Sequence, residues 1–556
     1  MVSRYITRLS RINNNYKKLK NMNPLLLVDS YKIHHTNMYP ESMTKLYSNF
    51  TPRKSRLKGI DNVVVFGIQH FVLEYLIKKF NKDFFFTHLK NGKNRDNKLK
   101  NFVIEEYKRH CPVDTKHIEA LWDLGYLPIE IKALDEGTLC PIGVPMLTIT
   151  NTHPDFGWLV NYLETLISCM LWQPITSATI AHEYRKILNK YAIETTGSTE
   201  GVQWQGHDFS MRGMSSVESS ILSGMGHLLS FTGTDTIPAI YHLENSYRAS
   251  GLIGASVPAT EHSVMCMGTK EAEIETFKRL LNLYPTGILS VVSDTWNLWD
   301  VCTKFLPELK EEILARDGKL VIRPDSGDPV DIICGMNSRS NFIKYNKKNK
   351  IFREYSKGNS KYLYNDIYKT EEAPVKGVIE LLWDTFGGTI NEQGYKVLDP
   401  HIGAIYGDSI TMDRAIQICE RLKAKGFANT NIVFGIGSYT YQYNTRDTFG
   451  FAMKATYGEI TRKGVNPATG KEIVITEARE IFKDPITDDG TKRSAKGLLS
   501  VHQQLDHNGE KLNIFMKDQC TWEQEQGGLL KTVFKDGKLV KETTLEEIRQ
   551  RLNNSL

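Results

Sequence analysis

The sequence predicts an α/β protein with a parallel sheet, because short apolar runs that end in polar turns alternate with helical patterns. The clearest runs are Ile288–Val292, Leu320–Ile322, Ala404–Tyr406 and Ile432–Phe434. Each is short and rich in β-branched or aromatic residues, as expected of a buried parallel strand. Helical patterns precede the first and the last of these runs, at Glu271–Leu283 and Asp413–Lys425. Repetition of strand, polar turn and helix is typical of a parallel β/α fold.

The composition is that of a large globular enzyme. The chain has 556 residues, of which 40% are hydrophobic and 24% charged, with a formal net charge of +6. These values exclude a largely disordered, collagen-like or coiled-coil protein. The apolar runs are far shorter than the ~18 residues that a membrane span needs, so we expect no membrane partner. The eight cysteines form no CxxC pair, which predicts reduced thiols in the cytoplasm and excludes a disulfide framework or a zinc site.

The positive charge is concentrated in two segments. Residues 1–20 contain six basic residues and no acid, and residues 337–370 contain nine basic residues and two acids, so the rest of the chain is net acidic. The second segment is rich in Lys, Asn, Ser and Tyr and has weak apolar periodicity, which predicts a basic surface insertion. Tyrosines interleaved with basic residues also permit binding of nucleic acid or another polyanion. That alternative stays open, with nucleic acid the less favoured partner.

The turns after the strands predict one polar site. In a barrel these turns converge on one mouth, and here they carry Asp294, Arg323, Asp325, Asp408, Gly437 and Ser438. Gly407 and Gly437 let backbone N–H groups face an anion, and Arg323 can bind a phosphate or a planar amide. Asp325 and Asp408 can accept hydrogen bonds from ribose hydroxyls or hold Mg²⁺. The mouth is therefore predicted to bind a phosphorylated sugar and a divalent cation.

Three earlier motifs fit the same arrangement. They are Gly206–Gly213, Gly233–Thr236 and Ser256–Ser263. The last opens a helical pattern that runs through Glu271, and His262 lies just inside its start. That place favours a role in handling phosphate, although a lone histidine can also be structural. Near the C-terminus, basic segments around Lys483 and Lys492 either clamp a polyphosphate or form a solvated face.

Taken in order, the motifs resemble the nicotinamide phosphoribosyltransferases, a branch of the type II phosphoribosyltransferases. The matching segments are VDSYKIHHTNMYP (28–40), LPIEIKAL (127–134), HDFSMRG (207–213), GTDT (233–236), SVPATEHS (256–263), SVVSD (290–294), IRPDSGDP (322–329), GDS (407–409), NTRD (444–447) and FKDP (482–485). The resemblance runs from about residue 22 to 556, apart from the basic insertion.

The resemblance implies a fold and domain boundaries. The fold is an irregular β/α barrel of the type II phosphoribosyltransferases, with a second α+β domain built from N- and C-terminal segments. The expected parts are a basic tail at 1–21, α+β segments at 22–170 and 455–556, and a barrel catalytic domain at 171–454 that carries the insertion at 337–370.

The resemblance also implies an activity. Nicotinamide reacts with phosphoribosyl pyrophosphate to give nicotinamide mononucleotide and pyrophosphate in NAD salvage, with Mg²⁺. ATP hydrolysis through a phosphohistidine drives the reaction, and the enzyme is a homodimer with shared active sites. Two alternatives remain: a nicotinate phosphoribosyltransferase, and a polyanion-binding protein that uses the basic tail and insertion.

Residues of the base site follow from the matching motifs. The resemblance implies that Phe209 and the partner chain's Tyr31 sandwich the nicotinamide ring. It also implies that Asp235 accepts a hydrogen bond from the carboxamide. A carboxylate at that position attracts an amide and repels nicotinate, which makes Asp235 the specificity element. Ser256, Ser290 and Arg323 line the same slot.

The remaining residues handle phosphates and the metal. The resemblance implies that His262 is the phosphorylated histidine, that Asp294 orients it, and that Asp325 and Asp408 hold ribose and Mg²⁺. The 5′-phosphate cradle consists of Gly407, Gly437 and Ser438. The implied ligands of pyrophosphate and ATP phosphates are Arg212, Arg446 and, from the partner, Arg53, Lys454, Lys483 and Lys492. Two positions depart from vertebrate members, which have glycine at Ser438 and arginine at Leu498.

Overall fold

The computed structural model describes residues 22–86, 97–340, 342–357, 362–407, 409–487, 494–509 and 511–556. The chain forms two compact units: one ends at Ile175 and resumes as Arg446–Ile548, and the other consists of Thr176–Thr445 and Arg549–Leu556. These divisions differ from the expected ones at 170/171 and 454/455, and Arg549–Leu556 belongs to the second unit and not to the first. The predicted basic tail at 1–21 lies outside the described residues.

The strands are numbered in chain order. They are β1 Met43–Thr51, β2 Asn62–Val64, β3 Ile129–Ala133, β4 Leu139–Pro141, β5 Leu147–Asn151, β6 Gly206–Asp208, β7 Gly233–Thr234, β8 Thr286–Val292, β9 Asp317–Arg323, β10 Phe342–Asn346, β11 Ile351–Lys357, β12 Tyr362–Lys369, β13 Gly388–Ile390, β14 Lys396–Leu398, β15 Ile402–Tyr406, β16 Ile432–Ile436, β17 Ala452–Val465, β18 Glu472–Glu480, β19 Leu498–Leu505, β20 Lys511–Cys520, β21 Lys531–Lys535 and β22 Lys538–Leu539.

The α-helices are numbered in the same way. They are α1 His35–Met38, α2 Ile68–Phe71, α3 Phe80–Asp83, α4 Asn97–His110, α5 Lys116–Leu124, α6 Gly157–Tyr162, α7 Glu164–Thr196, α8 Val217–His227, α9 Ile237–Tyr247, α10 His262–Met267, α11 Glu273–Leu283, α12 Leu298–Asp300, α13 Leu306–Glu308, α14 Lys310–Leu314, α15 Pro329–Cys334, α16 Glu372–Lys376, α17 Val378–Phe386, α18 Met412–Ala424, α19 Ser438–Tyr441, α20 Trp522–Gln526 and α21 Leu545–Asn553. Short 3₁₀ turns include Ser30–His34, Met211–Gly213 and Arg446–Thr448, and π-helical turns occur at Val72–Lys79 and Val301–Phe305.

The first unit is built on a seven-stranded sheet with the order β18-β17-β1-β5-β3-β21-β22. Every pairing in it is antiparallel. Strands from both parts of the unit are therefore interleaved, with β17 and β21 pairing directly with β1 and β3. The central strand β1 buries Leu46, Tyr47 and Phe50. An α+β unit of N- and C-terminal segments is thus present, as the resemblance implied.

The second unit is built on a six-stranded sheet with the order β7-β6-β16-β15-β9-β8, and all its pairings are parallel. The four strands predicted from apolar runs are β8, β9, β15 and β16. Strand β15 is buried throughout and β8 over its last four residues, whereas β9 alternates buried Leu320 and Ile322 with partly exposed Val321 and Arg323. The predicted parallel β/α architecture is confirmed.

The extended segment 255–260 closes this sheet into a barrel. At one edge, the Ala255 N–H donates to the carbonyl of Thr232, which precedes β7 (2.9 Å). At the other edge, the Ser290 N–H in β8 donates to the Pro258 carbonyl (2.9 Å). Since the segment bonds to both edge strands, neither is left as an open edge, and the strand ends form a continuous ring.

The helix predicted to begin near Ser263 and run through Glu271 is interrupted. Helix α10 ends at Met267, and α11 begins only at Glu273. Thr269, between them, has a φ of +62°, a left-handed conformation that cannot continue an α-helix. His262 consequently lies on a short separate helix at the barrel mouth.

The basic insertion forms its own three-stranded antiparallel sheet, with the order β10-β11-β12. Arg339, just before β10, forms ion pairs with Asp331 of α15 (2.5 Å) and with Glu354 of β11 (2.8 Å). Lys347 pairs with Glu372 of α16 (2.6 Å). Part of the positive charge of the insertion is therefore neutralised by acidic residues of the barrel's outer helices.

Two further sequence expectations concern the environment of the chain. In the described part of the chain, none of the helices combines the length and hydropathy that crossing a bilayer requires. All eight cysteines lie within the described ranges, and none is in a disulfide there.

Candidate functional site

A cavity of about 530 Å³ lies inside the barrel of the second unit. Strands β6, β8, β9, β15 and β16 and the segment 255–260 supply its wall. Much of the wall is apolar and includes Val257, Ile288, Val321, Ile405 and Val433. Toward the C-terminal ends of the strands, it is lined by His207, Phe209, Asp235, Ser256 and Ser290. A mainly apolar cavity with a few convergent polar groups is typical of a small-molecule site.

Strand periodicity decides which side chains reach this cavity. Alternate residues of a strand point to the same face. Val321 of β9 lines the cavity, so Arg323, two residues later, continues that face at the mouth. On β15, Ile405 and Gly407 are related in the same way. The predicted strand-end residues of the barrel therefore share one edge and one face of the sheet.

Phe209 forms an aromatic wall at the mouth. Its N–H donates to the Ile436 carbonyl (3.0 Å), which continues the pairing of β6 with β16. Its ring packs directly on Gly435, where a methyl group would come within 2.6 Å of the ring. The His207 ring lies 4.6 Å from the Phe209 ring, centroid to centroid. The Arg323 guanidinium lies over the Phe209 ring at 5.9 Å, a cation–π arrangement.

Asp235 places a carboxylate beside that wall. His207 Nε2 lies 2.9 Å from Asp235 Oδ1, and the Ser256 hydroxyl donates to the same oxygen (2.5 Å). Burial raises the pKa of Asp235, but the hydrogen bonds from His207 and Ser256, together with the charges of His207 and Arg323, outweigh it. The pKa of Asp235 therefore lies below its usual value, and the carboxylate is ionised at neutral pH.

Arg323 is fixed at the mouth by the closing segment. Its Nη2 donates to the Thr260 carbonyl (2.6 Å). Its Nε is buried and has no hydrogen-bond partner among the described residues. The side chain of Ser290 lines the same cavity, two residues before the end of β8.

His262 lies at the start of α10 with half of its side chain exposed. Its Nδ1 lies 3.1 Å from the Thr295 hydroxyl, and its Nε2 lies 3.9 Å from Asp325 Oδ2. The ring is thus held through Nδ1, and Nε2 faces the strand-end carboxylate. This arrangement leaves Nε2 as the nitrogen that can react.

Asp294 makes a different contact from the one expected. It does not hydrogen-bond His262. Instead, its Oδ2 accepts from the N–H groups of Asp325 (2.8 Å) and Ser326 (2.7 Å) and from the Ser326 hydroxyl (2.6 Å). The carboxylate is turned toward the loop after β9 because three donors converge there. Its other oxygen, Oδ1, is buried without a hydrogen-bond partner in the described chain.

The predicted phosphate cradle has two close approaches. A methyl group at Gly407 would collide with Asp325 Oδ1, and one at Gly213 would collide with the Ser438 side chain. Ser438, which stands where vertebrate members have glycine, thus packs on the turn that carries the exposed Arg212. Gly437 has open space around it.

Four predicted phosphate ligands belong to the first unit: Arg53, Arg446, Lys454 and Lys483. Burial lowers the pKa of Lys454, and the charges of Arg53, Lys483 and Arg446 lower it further, against a raising effect from Glu164. Arg53 also donates to the Gly450 carbonyl (3.1 Å). A group of cations that disfavour one another's charge is suited to an anionic ligand.

The other predicted site residues are placed as follows. Tyr31, in the first unit, is 60% exposed. Asp408 and Lys492 lie outside the described residues. Leu498, which stands where vertebrate members have arginine, is buried in a cluster with Tyr47 and Leu499, so it is a core residue of the first unit.

Family models match two parts of this chain. The model described as the nicotinate phosphoribosyltransferase (NAPRTase) family matches residues 204–538, which include the barrel and its mouth. The model of the nicotinamide phosphoribosyltransferase N-terminal domain matches residues 23–115. The chain belongs to the nicotinate phosphoribosyltransferase family. Within that family, it is similar to proteins that carry the name nicotinamide phosphoribosyltransferase.

Two such relatives match nearly their whole length. A nicotinamide phosphoribosyltransferase of Acinetobacter baylyi is 47% identical, over 96% of this chain and 98% of that protein. One of Mycoplasma pneumoniae is 35% identical, over 85% of this chain and 94% of that protein. The solved structure of nicotinate-nucleotide pyrophosphorylase from Pyrococcus furiosus has a TM-score of 0.51 at 14% identity, covering 95% of this chain and 94% of that one. At that identity, the likeness concerns the fold, and it confirms the type II phosphoribosyltransferase architecture.

Two residues at the mouth, His207 and Thr295, were given no role on the basis of the sequence. His207 stands in the HDFSMRG motif, and strand alternation puts it on the same face as Phe209. That periodicity was the signal that could have identified it. Thr295 follows the SVVSD motif and contacts His262 through a turn whose direction no local pattern predicts.

Proposed function

We propose that the chain transfers the phosphoribosyl group of phosphoribosyl pyrophosphate to nicotinamide, giving nicotinamide mononucleotide and pyrophosphate in NAD salvage. The observation that carries the proposal is the pairing of the Phe209 ring with the Asp235 carboxylate at one wall of the barrel cavity. A flat ring with a carboxamide substituent fits an aromatic surface bordered by an ionised acceptor. Membership of the family supplies the phosphoribosyl chemistry.

Base recognition follows from the charge of this wall. The carboxamide N–H₂ donates to Asp235, whereas the carboxylate of nicotinate would be repelled by it. Two unit charges 4 Å apart at an effective dielectric constant of about 20 interact by about 4 kcal/mol. Arg323 and Ser290 border the same cavity and can hold the carbonyl side of the amide. Asp235 is therefore proposed to reject nicotinate.

The glycosidic step needs positioning and charge neutralisation more than acid–base chemistry. The ring nitrogen of nicotinamide attacks C1 of the ribose, and the bond from C1 to the pyrophosphate oxygen breaks. Positive charge develops on the ribose ring while negative charge develops on the leaving group. Phe209 and Asp235 orient the attacking nitrogen. Asp325 is proposed to hold ribose hydroxyls, and Arg212 and Arg446 to neutralise the pyrophosphate.

The residues present fit a magnesium ion. The buried Asp294 Oδ1 has no hydrogen-bond partner in the described chain, and Asp294 bonds to the backbone of Asp325. Carboxylate oxygens are the ligands that Mg²⁺ prefers, and it commonly uses one or two of them together with substrate phosphates. Asp325, with Asp408, is proposed to hold Mg²⁺, which supplies charge neutralisation to the pyrophosphate.

ATP coupling is proposed to use His262. Its Nδ1 is engaged by Thr295, so Nε2 is the nitrogen that takes the γ-phosphoryl group of ATP, with release of ADP. Water then removes the phosphoryl group. Half-exposure of the ring allows ATP to reach it from the mouth.

A second copy of the chain is proposed to complete each site. The exposed Tyr31 ring would cover the face of the base opposite Phe209. The cationic group of Arg53, Lys454 and Lys483, with Lys492, would bind phosphates of the partner's substrates, and Gly407, Gly437 and Ser438 would hold the 5′-phosphate. A homodimer in the cytoplasm is the expected state, and the eight free cysteines support that location.

A base-specificity assay with and without ATP tests the proposal. With Mg²⁺ and phosphoribosyl pyrophosphate, the purified protein is expected to have a kcat/KM for nicotinamide at least about 100-fold higher than for nicotinate. A repulsion of about 4 kcal/mol between Asp235 and nicotinate is large enough for this ratio. ATP is expected to raise the yield of product. Absence of nicotinamide mononucleotide would contradict the function. Preference for nicotinate would favour the nicotinate enzyme instead.

The contact of Gly407 with Asp325 makes a second prediction. Gly407→Ala is expected to lower kcat/KM for phosphoribosyl pyrophosphate by about 100-fold, because a methyl group displaces the Asp325 carboxylate from its place and misplacement by about 1 Å has that effect. Gly527→Ala, outside the proposed site, adds the same methyl group at ordinary contact distances of 3.6 Å and is expected to lose much less. Equal losses in both variants would contradict the steric argument. Melting temperatures of both proteins control for folding.

A further inference from the structure

The two protein donors to Asp235 occupy a single carboxylate oxygen. Both His207 Nε2 (2.9 Å) and the Ser256 hydroxyl (2.5 Å) bond to Oδ1. No hydrogen bond to Oδ2 occurs among the described residues. An ionised carboxylate has about four lone-pair sites on its two oxygens, so this one-sided arrangement leaves the acceptor capacity of Oδ2 for a ligand.

The fold supplies these donors from two independent elements. His207 belongs to β6 and lies opposite Gly233 of β7 in the parallel pairing. A methyl group at Gly233 would come within 2.7 Å of His207 Nδ1, so the glycine leaves room for the ring beside the neighbouring strand. Ser256 comes from the segment that closes the barrel. The side chain of Asp235, one residue after β7, is thus held by two separate elements through one oxygen.

We propose that His207 is a positioning residue which, with Ser256, fixes Asp235 Oδ1 so that Oδ2 alone faces the carboxamide of the base. This inference rests on the proposed function, because it concerns how the same slot distinguishes nicotinamide from nicotinate. His207 does not itself need to touch the base. It acts through Asp235.

The orientation of the Asp235 carboxylate needs to be fixed, because the χ2 torsion of aspartate has a broad, roughly two-fold distribution. Without the His207 donor, the carboxylate can rotate away from the base. Nicotinamide then loses a well-directed hydrogen bond to a charged group, and nicotinate loses the repulsion that excludes it. The selectivity between the two bases, and not only the overall rate, therefore depends on His207.

Steady-state kinetics of His207→Leu and His207→Gln test this role. Leucine removes the donor at similar volume, whereas the amide N–H₂ of glutamine can reach the position of Nε2. We expect His207→Leu to raise the KM for nicotinamide by about 10- to 100-fold, the range for a lost hydrogen bond to a charged group, with kcat changed less than about threefold. The ratio of kcat/KM for nicotinamide to that for nicotinate should fall by at least about tenfold. His207→Gln should restore this ratio to within about threefold of the unaltered protein.

The outcomes separate the two proposals. If the unaltered protein makes no nicotinamide mononucleotide, the proposed function fails. If it does, and His207→Leu lowers kcat/KM for both bases by the same factor or leaves the ratio unchanged, the role of His207 is overturned. A glutamine variant with the same loss as leucine would also overturn it, because the donor would then not be what matters.

Discussion

Replacing Asp235 with asparagine should invert the base preference. The ratio of kcat/KM for nicotinamide to kcat/KM for nicotinate is expected to fall by about 1,000-fold or more. Loss of the charge-assisted hydrogen bond lowers kcat/KM for nicotinamide by about 10- to 100-fold. Loss of the repulsion between two carboxylates makes the binding of nicotinate more favourable by up to about 4 kcal/mol.

The direction follows from the donors around this side chain. His207 and Ser256 both bond to Oδ1 of Asp235, so the carbonyl oxygen of the introduced asparagine would occupy that position and its N–H₂ group would face the base. An N–H₂ group opposes the carboxamide N–H₂ of nicotinamide but donates to the carboxylate of nicotinate. The substitution thus exchanges an acceptor for a donor at one atom.

Parallel Michaelis–Menten measurements with both bases check this prediction. Glu244→Gln is a matched control, because Glu244 is exposed on α9, the helix that follows Asp235. It also loses one negative charge, and its base ratio is expected to stay within about threefold of the unaltered protein. If the Asp235→Asn ratio also stayed there, the assignment of Asp235 as the specificity element would be wrong.

Replacing His262 with alanine should abolish ATP coupling while leaving phosphoribosyl transfer. We expect ATP hydrolysis to fall by at least about 100-fold, because the proposed acceptor of the phosphoryl group is gone. The rate of phosphoribosyl transfer to nicotinamide without ATP should stay within about tenfold of that of the unaltered protein. The reason is that the ring of His262 faces Asp325 and Thr295 and not the base slot. Release of ADP in the presence of ATP measures the first quantity, and formation of nicotinamide mononucleotide in its absence measures the second.

His507→Ala controls for the loss of a histidine. His507 is exposed in the turn between β19 and β20 and its replacement should change neither rate. Unchanged ATP hydrolysis in His262→Ala would exclude the phosphohistidine. Loss of transfer in step with hydrolysis would instead place His262 in the glycosidic reaction itself.

Four strands of the barrel, β8, β9, β15 and β16, could be predicted from the sequence because each contains a short apolar run. Such a run is a local signal, so it can be recognised without knowledge of the neighbouring strands. The turn after each strand was also local, and topology alone then brought Asp294, Arg323 and Gly407 to one edge. The closing segment 255–260 was not predicted, because its strand-like bonding to β8 depends on two distant elements.

What could not be predicted is how neighbouring side chains pair. Asp294 was expected to contact His262, yet it accepts three hydrogen bonds from Asp325 and Ser326, and Thr295 contacts the histidine instead. A carboxylate bonds to whichever donors converge on it, and that convergence is set by the path of two loops, which short-range patterns do not encode.

The sequence by itself determined the family, the parallel barrel and the set of polar residues at its mouth, because these depend on periodicity and on ordered motifs. Only the tertiary structure decided how those residues act on one another. That His207 and Ser256 share one oxygen of Asp235 results from the register of β6 with β7 and from the closure of the barrel. Both are contacts between segments far apart in the chain, so their geometry exists only once the barrel has formed.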